Sequence, residues 1–324
     1  MIAVLTCPAL EPSCGTVGYP IFIARNVQQV IASLLPAVPQ PTLHVLTLAQ
    51  LPFLVPYCWV RDIRYLGYPM LLANICLWGS LLVIIWIVAH KLAADIEGHV
   101  GLPPGVEYAR LGTGTLLFTA QAVVAFEGIA LVLPIREAMA EPQHFRTLLL
   151  CCMTAGTFTL VVTGASAYLA YGDATATWVT LNIDGPLAVY VRGAFSLAVL
   201  LTYPLQLFPA MQALEEKLGL SRVPSTEEDD GAHSRGRQLL LQCAARTCLV
   251  CAAFLFSLVA PYDNLVGLAG GLCAVPLAFI FPGWFHLRIC KTRSLASTAV
   301  DVVLVGFGVV MAPIAVVVAI ISWH

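Results

Sequence analysis

The sequence is poor in charge. Only 10% of its 324 residues are Asp, Glu, Lys or Arg, where a soluble domain carries about a quarter, and this shortfall excludes an ordinary water-soluble globule. No Lys/Arg-rich tract is present and the formal net charge is −2, so no nucleic-acid partner is expected. The signatures of catalysis are missing too: there is no G-x-S-x-G, no H-E-x-x-H and no phosphate-cradling G-x-x-x-x-G-K-[ST], and the 7 histidines are scattered. Their absence argues against an enzyme and leaves no cofactor or metal to expect. There is no N-x-[ST] sequon. The opening "MIAVLTCPALEPSCG" has no basic segment before its apolar stretch and is interrupted by Pro8 and Pro12, which makes it a poor signal peptide. The 11 cysteines are odd in number and fall mostly inside apolar runs, where they read as small packing residues rather than a disulfide framework. Cys248 and Cys251 form a C-x-x-C, but without a second ligand pair it implies no metal.

What fills the chain instead is apolar length, with 59% of residues in the hydrophobic set. About 20 apolar residues in a helix cross a hydrocarbon core about 30 Å thick, and a helix satisfies its own backbone there. Nine candidate spans are predicted, at 16–34, 43–59, 67–89, 113–134, 146–170, 187–212, 239–260, 263–287 and 297–321. The first carries Arg25, Asn26, Gln28 and Gln29 and so needs shielding by its neighbours. The expected architecture is an all-α polytopic membrane protein built as one transmembrane domain over 1–324. No separate soluble domain is visible, and the polar stretch at 215–238 reads as a flexible cytoplasmic loop. The stretch "YGDATATWVTLNIDGP" is rich in turn formers and is expected to lie close over the bundle.

Basic residues collect in alternate loops. Arg61, Arg64, Arg136, Arg146, Lys217, Arg222, Arg235, Arg237, Arg288, Lys291 and Arg293 stand in one set, against Lys91 and Arg110 in the other. Positive loops stay in the cytoplasm, so nine crossings put the N-terminus inside and His324 on the far side.

Charges within the spans need separate readings. Arg246 lies about two turns from the cytoplasmic end of its span and is expected to snorkel to the interface, as are Arg192 and Asp301 near span ends. Arg25 is deeper, and a carboxylate partner such as Glu127 is plausible for it. Glu127 itself sits mid-span in "FTAQAVVAFEGIALVLP", where a carboxylate must face the bundle interior or a cavity. Gly128 weakens the helix beside it, and Pro134 removes a further backbone bond. A helix broken near mid-membrane leaves free N–H and C=O groups of the kind that bind substrates in secondary transporters. Gly267 and Gly271 give a small-xxx-small face for close helix packing.

"FEGIALVLPIREAMAEPQHF" (126–145), "AYLAYGD" (167–173), "VTLNI" (179–183), "LLTYPLQLFPA" (200–210) and "NLVGLAGGLCAVPLAFIFP" (264–282) resemble the amino acid/auxin permease family, in its branch of proton-coupled and vacuolar amino-acid transporters. "NVQQVI" (26–31) and "LPFLVPYCWVRDIRYL" (51–66) match the same branch. The resemblance implies a LeuT-like inverted-repeat helix bundle in which the nine spans correspond to helices three to eleven of an eleven-helix fold, the first two lacking a counterpart. Ala130 departs from the branch, which usually has a glycine there.

The same resemblance implies roles. Phe126, Glu127, Gly128 and Ile129 form the break that meets the amino-acid zwitterion, Tyr19, Phe22 and Asn26 line the cavity from one face of the first span, and Glu127, Thr202 and Tyr203 serve the coupling ion. It implies a secondary transporter of small neutral amino acids, proton-coupled, in the plasma membrane or a vacuolar or lysosomal membrane. The partners are then the amino acid, protons and the lipid bilayer. The alternative is a non-transporting paralogue or nutrient-sensing scaffold that keeps the bundle.

Overall fold

The computed structural model describes residues 2–97, 106, 112, 115, 118–119, 122–123, 126, 129–176, 178–183, 185–220, 232–259, 268, 270–290 and 294–321. They form helices and connecting turns, with no strand among the described residues. We label the α-helices α1 (Ile2–Leu34), α2 (Leu43–Leu48), α3 (Leu51–Tyr57), α4 (Gly67–Glu97), α5 (Ile129–Ala138), α6 (Phe145–Tyr171), α7 (Pro186–Lys217), α8 (Ala232–Val259), α9 (Phe281–Ile289) and α10 (Leu295–Ile321). Two wide-turned π segments, Gly270–Ala274 and Pro276–Ile280, precede α9.

Among the described residues, six stretches are long and apolar enough to cross a membrane: Ile63–Asp95, Pro142–Ala174, Pro186–Lys217, Gly236–Leu258, Gly271–Ile289 and Leu295–Val318. The protein is an all-α polytopic membrane protein. The segment read as one span at 43–59 folds as two short helices, α2 and α3, with a turn at Ala49 and Gln50. Pro52 enters at the start of α3, where its missing N–H has no partner to lose. The Gln50 amide is buried and donates to the Pro20 carbonyl at 3.0 Å and to Leu46 at 3.1 Å, so the turn is fastened to α1.

α7 is the axis of the fold. α1 lies along it, α4 packs on it from another side, and α8 bridges α1 and α7. One apolar core joins α3, α7 and α8 through Leu54, Tyr203, Leu207, Met211, Val250 and Phe254. A second joins α4, α6 and α7 through Ile84, Val88, Ala170, Ala188 and Val191, with Ile183 of the preceding loop. The pairs Tyr19–Tyr203 and Phe22–Phe195 show the sense of the main contact: number rises along α1 as it falls along α7, so the two helices are antiparallel.

α10 packs on α9 and the π segments. A methyl in place of a Gly271 hydrogen would lie 2.8 Å from Val316 Cγ2 and 2.9 Å from its backbone N, so that approach depends on glycine. This fits the close packing expected of Gly271; Gly267 lies outside the described residues.

Two buried arginines correct the snorkelling expectation. Arg246 is 2% exposed. It donates from Nε to Glu215 Oε1 at 2.6 Å and from Nη1 to the carbonyls of Cys58 (3.1 Å) and Val60 (2.6 Å). Arg192 is buried too, and donates to the carbonyls of Thr180 (2.9 Å) and Ile183 (2.6 Å). In both cases the guanidinium finds carbonyls freed by a nearby turn, so bonding within the protein replaces a reach for water. Asp301 also turns inward: it is buried, and its Oδ2 meets His286 Nδ1 at 2.5 Å.

Candidate functional site

The α1 face comes together as its spacing requires. Residues three and four apart share one side of a helix; Tyr19 and Phe22 face α7 and its preceding loop, and Asn26 lies buried one turn beyond Phe22. Phe22 meets Trp178 edge-on, with ring centroids 5.3 Å apart, and Phe195 at 5.5 Å. Tyr19 stands 6.3 Å from Tyr203, which in turn lies 6.1 Å from Phe254 of α8. Asn26 is fully buried; its Nδ2 donates to the Phe22 carbonyl at 2.9 Å, and its Oδ1 has no hydrogen-bond partner among the described residues.

On α7, Pro204 has no N–H to give the Leu200 carbonyl, which opens the helix ladder at this point. Beside the opening, the Tyr57 hydroxyl of α3 donates to the Leu201 carbonyl at 2.9 Å. Thr202 and Tyr203 then differ. The Thr202 hydroxyl donates back to Val199 O at 3.0 Å, which commits its proton to its own helix. The Tyr203 hydroxyl is closed to solvent and has no partner among the described residues.

Of the stretch 126–129, Glu127 and Gly128 lie outside the described residues. Phe126 is helical and exposed, and α5 begins at Ile129. The break expected there, and a pairing of Arg25 with Glu127, therefore fall outside what the structure describes. The Arg25 guanidinium carbon stands 5.1 Å from the centroid of the Trp178 ring, a cation–π contact.

The loop before α7 completes this end of the site. Gly185, at φ +97°, makes the turn into α7, a backbone region that side-chain-bearing residues avoid. Arg192, nearly two turns in from that start, clasps the Thr180 and Ile183 carbonyls of the loop that carries Trp178.

Sequence reasoning missed Trp178, Thr180, Phe195 and Ser196. Ser196 had a signal: it lies seven residues before Tyr203, two turns along the same α7 face. Trp178 had only the expectation that its loop lies over the bundle. No group of three or more His, Cys, Asp or Glu suited to a metal occurs among the described residues. What the arrangement offers is a buried seam with aromatic walls and unpaired oxygens, suited to holding small polar species.

A family model described as transmembrane amino acid transporter protein matches residues 2–321. The chain is 27% identical over 286 residues to vacuolar amino acid transporter 4 of Saccharomyces cerevisiae, covering 84% of this chain and 40% of that protein. It is 29% identical over 314 residues to vacuolar amino acid transporter 3 of the same yeast, covering 95% and 44%. With amino acid transporter ANT1 of Arabidopsis thaliana it shares 25% identity over 304 residues, covering 92% and 68%. The matched region thus spans less than half the length of either yeast relative.

Proposed function

The chain belongs to the transmembrane amino acid transporter family, and from that premise we propose that it takes part in the secondary active transport of small neutral amino acids, coupled to protons. The observation that carries this reading is the α1–α7 seam. Tyr19 meets Tyr203 and Phe22 meets Phe195 across it, and the buried Asn26 and Tyr203 oxygens on its two helices lack protein partners among the described residues. Unpaired buried polar atoms are uncommon in proteins and point to a bound species or water.

In this reading the bundle is LeuT-like, and the 126–129 stretch meets the amino-acid zwitterion through backbone groups, as the family resemblance implies. Aromatic walls at Phe22, Phe195 and Trp178 favour small neutral side chains over charged ones, because a desolvated charge without a partner costs several kcal/mol. The alternation of basic loops supports a cytoplasmic N-terminus and a non-cytoplasmic His324. The names of the yeast relatives support a vacuolar-type membrane.

The test is uptake of labelled glycine, alanine, proline, lysine and glutamate by the reconstituted chain, in wild type and Glu127→Gln. The reading expects the neutral amino acids to enter and an imposed proton gradient to stop accelerating them in the variant. Preference for lysine or glutamate overturns the substrate class, and full gradient response in the variant removes Glu127 from coupling.

A further inference from the structure

Among the described residues, seven buried side-chain oxygens have no protein partner, and four of them belong to α1, α7 and the loop before α7: Asn26 Oδ1, Ser196 Oγ, the Tyr203 hydroxyl and Thr180 Oγ1. The carriers of these four are between 0% and 5% exposed, so bulk water does not satisfy them. Their order follows from the helices. Asn26 lies seven residues beyond Tyr19 on α1, and Ser196 seven residues before Tyr203 on α7. Phe22, one turn before Asn26 on α1, meets Phe195, the neighbour of Ser196 on α7, while Tyr19 meets Tyr203, so Asn26 and Ser196 both lie beside the Phe22–Phe195 contact and Tyr203 lies at the Tyr19 contact. Thr180 joins at the loop end, because its carbonyl is held by Arg192, one turn before Ser196 on α7.

Seven residues of helix rise about 10.5 Å, too far for a direct bond between Ser196 and Tyr203. The step suits about three waters at ordinary hydrogen-bond spacing. Three of the four groups are hydroxyls, each able to donate and accept at once, as a relay requires. A buried polar group left without a partner costs about 1–3 kcal/mol, whereas bound waters that make two to four bonds remove that penalty. The seam also carries the Phe22 and Phe195 rings, which offer water faces and edges rather than further polar partners.

We propose that a file of bound water runs along the α1–α7 seam from Thr180 past Asn26 and Ser196 to Tyr203, and that it carries the coupled proton. Each step moves one proton onto an oxygen as another leaves it, so no group on the path keeps a charge. The Arg192 guanidinium stands at the loop end, held on two backbone carbonyls, and Arg25 lies over Trp178 at the same end. The proton-carrying half of the proposal rests on the proton-coupled reading given above; the water file does not.

The two halves are tested separately. Millisecond radiolytic hydroxyl labelling of the chain in lipid nanodiscs, read by mass spectrometry, reports water beside buried rings. Tyr203 and Phe254 are both essentially closed to solvent, yet the file lies only at the Tyr203 hydroxyl. Labelling of Tyr203 at least about ten-fold faster than Phe254 is expected, and equal protection of both overturns the file. In proteoliposomes with a trapped pH dye, Ser196→Val should lower substrate-driven proton flux at least ten-fold and slow Tyr203 labelling to the Phe254 rate. Unchanged proton flux with slowed labelling rejects the proton path while the water stands. If the wild type moves amino acids without protons, the coupled reading fails, and the labelling ratio still decides the file.

Discussion

The ring of Tyr19 on α1 meets that of Tyr203 on α7 at a centroid distance of 6.3 Å and an angle of 59°, and the buried Tyr203 hydroxyl has no protein partner among the described residues. Removing the hydroxyl therefore strands no group among the described residues. Tyr203→Phe is expected to change stability by less than about 1 kcal/mol while lowering transport at least ten-fold. Tyr203→Ala opens a large cavity in the α3–α7–α8 core and should cost about 3–5 kcal/mol. Thermal unfolding in detergent beside uptake in liposomes separates the two effects; a large stability loss in Tyr203→Phe contradicts the account.

Arg246 and Glu215 are a buried pair, with side chains 3% and 13% exposed. Arg246 also fastens the backbone of Cys58 and Val60, which places Cys58, 1% exposed, under the clasp. Losing one partner of such a pair leaves an uncompensated charge and costs about 3–5 kcal/mol. Arg246→Ala is expected to lower the unfolding midpoint and to raise maleimide labelling of Cys58, read peptide by peptide, several-fold. Glu215→Gln keeps a hydrogen-bond acceptor and should show the smaller change in both.

Arg192 holds two carbonyls of the 178–183 loop. Arg192→Leu leaves both unpaired beside buried apolar neighbours, each at about 1–3 kcal/mol. Hydrogen–deuterium exchange in peptides covering 178–183 should rise at least ten-fold, with exchange at Val250 to Phe254 in α8 unchanged. An unaltered loop shows that Arg192 is not what holds it.

Gly271→Val must displace backbone, since Val316 N and Ala312 O stand 2.9 and 3.0 Å from the added Cβ. A loss of about 1–3 kcal/mol is expected from overpacking. Gly193→Ala on exposed α7 surface meets nothing within 4 Å and should be neutral or stabilising by up to about 1 kcal/mol. The difference between their unfolding midpoints is the measurement.

The bilayer makes some features legible and hides others. The apolar stretch at 67–89 sits inside α4 (Gly67–Glu97), and that at 146–170 inside α6 (Phe145–Tyr171), because a helix that crosses hydrocarbon must be apolar along its length. The extent of α1 was not legible: Pro8 and Pro12 read as interruptions, yet the helix runs from Ile2 to Leu34. The fate of Arg246 was not legible either. A cation near a span end reads the same whether it reaches for lipid headgroups or for Glu215, thirty-one residues away in sequence. At the candidate site, helical spacing put Tyr19, Phe22 and Asn26 on one face of α1, and the structure shows Tyr19 and Phe22 of that face in contact with α7. Trp178 was not readable, because it reaches Phe22 from a loop that has no period.

The most direct test of the account is accumulation of labelled alanine by the purified chain in proteoliposomes under an imposed proton gradient. The account predicts uptake above the equilibrium level that collapses when a protonophore is added, with proton movement recorded by trapped dye in the same vesicles. Uptake by properly folded chain that never exceeds empty liposomes, or that ignores the protonophore, would contradict it.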